Sequence, residues 1–95
     1  MFVETITSSR DEWERFNERL RMLDDPPAAL VASVVWEAGD GLVTALNVWD
    51  SPEAVGDFFI ERVQSAIQAS GAPAATPERH GEPLALYVRG MPARP

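Results

Sequence analysis

The chain contains no cysteine, no lysine, a single histidine and no long apolar run. Without cysteine there is no disulfide, no thiolate nucleophile and no cysteine-based metal site. The longest apolar run, Ala28 to Trp36, is broken by Ser33 and falls far short of the ~20 residues a membrane-spanning helix needs. MFVETIT enters a strand pattern directly, with neither the basic nor the apolar segment of an export signal, so a cytoplasmic protein is expected. With lysine missing, arginine supplies all 8 basic residues, against 15 acidic ones, for a net charge of −7. That balance repels phosphate backbones and anionic lipid, so neither nucleic acid nor a membrane is expected as a partner. One histidine without clustered partners is not a ligand set, and neither a metal nor a cofactor is expected.

What is present fits one small domain over residues 1–95, with no repeat, linker or low-complexity segment. Phe2 to Thr7 is β-branched and aromatic and predicts a first strand. Ser9 and Glu12 have capping-box spacing, and Trp13, Phe16, Leu20 and Leu23 recur at helical spacing, which predicts a helix to about Leu23. Pro26 and Pro27 stop it. Leu30–Glu37 and Leu42–Trp49 read as two strands joined by the turn Ala38-Gly39-Asp40-Gly41. Ser51 and Pro52 open a second helix, with Val55, Phe58, Phe59, Val63, Ala66 and Ile67 as its apolar stripe and Gly71 at its end. Ala72 to Pro83 reads as a loop, Leu84 to Met91 as a fourth strand and Pro92 to Pro95 as a tail.

The order βαββαβ with two right-handed crossovers predicts an α+β, ferredoxin-like fold. It consists of a four-stranded antiparallel sheet with two helices on one face. A simple two-residue hairpin turn groups Ala32, Val34 and Trp36 with Val43, Ala45, Asn47 and Trp49. It leaves Val31, Ser33 and Val35 with Leu42, Thr44, Leu46 and Val48. Both faces are largely apolar, and helices cover only one, so a homodimer packed sheet to sheet is expected.

Asn47-Val48-Trp49-Asp50-Ser51-Pro52-Glu53-Ala54, followed by Phe58-Phe59, carries a Trp-x-Ser-x-Glu-Ala pattern where strand 3 meets helix 2. Together with the acidic-Gly hairpin and Leu84-Ala85-Leu86-Tyr87-Val88, it resembles the antibiotic-biosynthesis-monooxygenase-like (ABM) branch of the dimeric α+β barrel superfamily. The resemblance implies a dimeric barrel with a pocket between sheet and helices. It also implies one of three roles: cofactor-independent oxygenation of anthrones or quinols, haem degradation, or no known activity. Helix 2 offers Phe58 and Phe59 and no histidine, which departs from the haem-degrading pattern; residues 2–7 hold no asparagine, which departs from the oxygenase pattern.

Three residues are candidates for chemistry. Asn47, polar within an apolar strand, could position an enol or phenol oxygen, or satisfy a backbone group. His80, beside Gly81, carries an imidazole, the side chain most often used for proton transfer, although a solvated loop histidine is the commoner case. Tyr87, sharing a strand face with Arg89, could orient a phenolic or anionic substrate, or serve a dimer edge. Trp36, Trp49, Phe58 and Phe59 could line a pocket for a small aromatic ligand; such residues are more often core. Two functions are expected to compete. One is a small-molecule-binding barrel with monooxygenase-like activity on an aromatic or quinol-type substrate, in which a weak base removes a proton before the carbanion meets oxygen. The other is a non-catalytic dimeric barrel that serves as a ligand-binding accessory or interaction protein.

Overall fold

The computed structural model describes residues 1–22, 24–70 and 77–86. The chain runs β1 (Phe2–Ser9), α1 (Arg10–Leu20), β2 (Leu30–Gly39), β3 (Leu42–Trp49), α2 (52–70) and β4 (Glu78–Gly81). The sheet order is β2-β3-β1-β4, and all neighbours are antiparallel. Both helices lie against one face, α1 over β1 and β3, and α2 over β3 and beside α1. This is the four-stranded antiparallel sheet with two helices that the βαββαβ order predicts.

Local chemistry sets the helix starts. The Ser9 Oγ accepts from the Glu12 amide at 3.2 Å, and the Ser51 Oγ from the Ala54 amide at 3.3 Å. Each satisfies one of the amides that a helix leaves without a partner at its start. The first helix ends at Leu20, short of the expected Leu23, because Arg21 turns left-handed at φ 54° and donates its amide to the Asn17 carbonyl. Leu23 itself lies outside the described residues.

The hairpin turn forms at Asp40 and Gly41, with φ of 51° and 74°, the positive pair a type I′ turn requires. The faces of β2 nevertheless differ from the simple expectation. Glu37 pairs with Val43 and Gly39 with Leu42, so Ala38 is an extra residue in a bulge. One inserted residue exchanges the two faces of a strand. Ser33 and Val35 therefore share the helix-covered face with Val43, Ala45, Asn47 and Trp49, while Ala32, Val34 and Trp36 look to the open face. A salt bridge beside the hairpin joins Arg10 to Glu37, and Arg10 also meets Glu14 at 3.1 Å.

The fourth strand of the described sheet lies ahead of the expected Leu84. It is Glu78–Gly81, inside the stretch that reads as a loop. Glu78, Arg79 and Gly81 pair with Thr5, Glu4 and Val3, with His80 extra in a bulge. An edge strand needs backbone pairing on one side only, so β1 recruits a polar segment of low strand propensity. The Arg79 guanidinium sits 5.9 Å over the Phe2 ring. Residues 84–86 join no strand, and residues 87–91 lie outside the described residues.

The core gathers where β3 runs into α2. Trp49 is 1% exposed, and its ring lies 5.1 Å from that of Phe58 at 45°, with Ala54 beside them. Leu20, Met22, Leu30, Val55 and Val63 pack around this cluster. The helix α2 is α-helical at Pro52–Phe58 and Gln64–Ser70 and π-helical at Phe59–Val63. No residue of α1 is fully buried; Trp13, Phe16, Asn17 and Leu20 are half-buried.

Candidate functional site

The gap under α1 is a cavity of about 180 Å³, partly open to solvent. It exists because small residues face large ones. Ser8, Ser33 and Ala45 form much of the sheet-side floor, whereas Trp13, Phe16, Phe58 and Phe59 form the helix-side roof. Short floor side chains leave space between the rings and the backbone of the sheet. The π-turn begins at Phe59, and its wider winding brings two consecutive phenylalanines to the same cavity.

One end of the floor is polar. Glu4, 3% exposed, and Asn47, 4% exposed, lie opposite each other across β1 and β3. The Trp49 indole N–H donates to Glu4 Oε1 at 3.0 Å, and Asn47 Nδ2 approaches the same oxygen at 3.5 Å. The Ser33 hydroxyl donates to Asn47 Oδ1 at 2.8 Å, which orients the amide with its NH2 toward Glu4. Glu4 Oε2 is buried and has no hydrogen-bond partner among the described residues. A carboxylate oxygen stripped of water and left without a donor is costly, and Glu4 is one of the residues that line the cavity.

The expected site residues separate. Asn47, Phe58 and Phe59 border the cavity. Trp49 sits behind it in the core and reaches it only through its bond to Glu4. Trp36 does not border this cavity; the bulge at Ala38 puts it on the opposite face, 44% exposed. His80 is not in a loop and not at the cavity. It lies on β4 and shares a 2.8 Å hydrogen bond with the hydroxyl of Thr5, on the open face. Tyr87 lies outside the described residues.

Glu4 is the residue that sequence reasoning missed. The alternation of FVETIT puts Phe2, Glu4 and Ile6 on one face, so a carboxylate flanked by inward apolar residues was a usable signal. Its meaning depends on Trp49 and Asn47, more than 40 residues away, and periodicity does not show that pairing.

The chain superimposes on a 1.40 Å crystal structure from Deinococcus radiodurans described as "a putative antibiotic biosynthesis monooxygenase". The TM-score is 0.58 and the identity 16%, over 95% of this chain and 100% of that one. At that identity the likeness is one of fold. No family model and no curated protein matches the sequence.

Proposed function

We propose that this protein is a small-molecule-binding, monooxygenase-like α+β barrel that takes one aromatic ring into the cavity beneath α1. The observation that supports this reading is Glu4, with a buried Oε2 that has no partner among the described residues, in the wall of a predominantly apolar, ring-lined space. An apolar cavity of about 150 Å³ holds a benzene-sized ring, so about 180 Å³ suits a single ring better than a fused polycycle.

With a quinol-type substrate the chemistry is direct. Glu4 Oε2 takes a hydroxyl proton, and the electron-rich ring carbon adds to dioxygen. Protonation gives a hydroperoxide, which loses water. The balance is quinol plus O2 giving hydroxyquinone plus H2O. Asn47 holds Glu4 in place, and the phenylalanine roof keeps water from the carbanion. The expected result is oxygen uptake at one equivalent per quinol, abolished in Glu4→Gln.

A second reading, a non-catalytic binder, has its own support. The Trp49 Nε1–H and one N–H of the Asn47 amide are directed at Glu4, which leaves a single amide N–H to stabilise negative charge on a substrate. Ring binding without oxygen uptake would select it.

The homodimer belongs to the same proposal. Val34, Trp36 and Leu42 are exposed together on the open sheet face, a patch that a second sheet would cover. The solution mass should be that of two chains; a monomer at micromolar concentration would refute the pairing.

A further inference from the structure

We infer that the cavity selects a cation, specifically a protonated primary amine carried on a single aromatic ring. This rests on the small-molecule reading and adds the charge of the ligand to it. The charged side chains in the cavity wall, among the described residues, are Glu4 and Glu12, both acidic. A buried carboxylate with one oxygen that has no partner among the described residues is most fully compensated by a donor that also carries positive charge, since charge-assisted bonds are about twice as strong as neutral ones. The roof supplies the second half of the recognition. Trp13, Phe16, Phe58 and Phe59 line the space that an ammonium and its ring would enter, and aromatic ring faces attract cations.

The neighbouring cation is already committed elsewhere. Arg62 lies 5.9 Å over the Phe58 ring, but it donates to the Leu20 carbonyl at 2.9 Å and to the Asp25 carbonyl at 2.6 Å. It ties the end of α1 to α2 and is not a cavity-wall residue. The chain's net charge of −7 adds long-range attraction for a cationic ligand. An anionic ligand such as an aryl carboxylate would bring like charge toward Glu4 and is excluded on the same grounds.

The three tryptophans give the test an internal control. Trp13 lines the cavity, Trp49 donates to Glu4, and Trp36 lies on the far face. The 15N-labelled full chain would be titrated with benzylamine, benzyl alcohol and benzoate, following the three indole N–H signals. Benzylamine should move the Trp13 and Trp49 signals and leave Trp36 in place. It should bind roughly 10–100-fold more tightly than benzyl alcohol, and benzoate should not bind. Glu4→Gln should erase the preference for amine over alcohol while keeping alcohol binding. Alcohol binding as tight as amine binding in the wild-type protein would overturn the charge inference and leave the small-molecule site standing. No movement of Trp13 or Trp49 with any of the three would overturn both. The wild-type comparison needs no variant, so a folding defect in Glu4→Gln does not blunt the test.

Discussion

Replacing Glu4 by glutamine should make the protein more stable. In the native chain Glu4 accepts the Trp49 indole N–H at 3.0 Å, a bond that glutamine keeps through its own carbonyl. The exchange of a charged for a neutral acceptor loses about 1 kcal/mol. The new amide NH2 takes the place of an oxygen that has no partner among the described residues, and as a buried donor it costs about 1–3 kcal/mol. Against these stands the burial of a carboxylate, a penalty of several kcal/mol per ion in a folded protein. The net gain is about 1–2 kcal/mol, equivalent to a rise in Tm of roughly 5–15 °C for a domain of this size. Thermal unfolding followed by circular dichroism would measure it, at matched protein concentration because association makes Tm concentration-dependent. Glu4→Met serves as the counterpart. It strips the Trp49 N–H of its acceptor and should fall below the glutamine variant. A Glu4→Gln protein less stable than wild type by 1 kcal/mol or more would refute the reasoning. Glu4 would then be a structural acceptor whose charge the fold compensates, not a destabilising group kept for a ligand.

Three further outcomes follow from the packing. Phe58→Ala removes the ring that meets Trp49 at 5.1 Å and should cost about 3–5 kcal/mol by chemical denaturation; a loss under 1 kcal/mol would mean the cluster is not the core. Arg62→Met releases the Leu20 and Asp25 carbonyls and should cost about 1–3 kcal/mol. Amide exchange should quicken in the 20–25 segment, and unchanged exchange there would contradict the clamp. Trp36→Glu places a charge on the open sheet face and should halve the mass seen by light scattering with little change in circular dichroism; an unaltered mass would remove Trp36 from the proposed dimer contact.

Much of the fold was legible because its determinants are local. The caps at Ser9 and Ser51 and the positive-φ turn at Asp40-Gly41 each act within a few residues, and so does the alternation of the long strands. Element order then led to the βαββαβ sheet, since few crossovers are allowed. Asn47 was recognisable as a polar residue in an apolar strand for the same reason.

Other features depended on residues distant in the chain. The bulge at Ala38, beside Gly39 at φ 90°, exchanges the faces of β2, bringing Ser33 to Asn47 and sending Trp36 away. The choice of Glu78–Gly81 as the edge strand came from the free hydrogen-bonding side of β1, not from the propensity of Glu-Arg-His-Gly. It took His80 out of the candidate site. The chemistry proposed for Glu4 came from three contacts that only the closed sheet assembles: the indole of Trp49, the amide of Asn47 and the empty space under α1. By itself the sequence determined the elements and their order, because caps, turns and alternation are short-range energies. Register, edge pairing and the burial of a carboxylate were decided by the tertiary structure, because each is an energy between segments that meet only after folding.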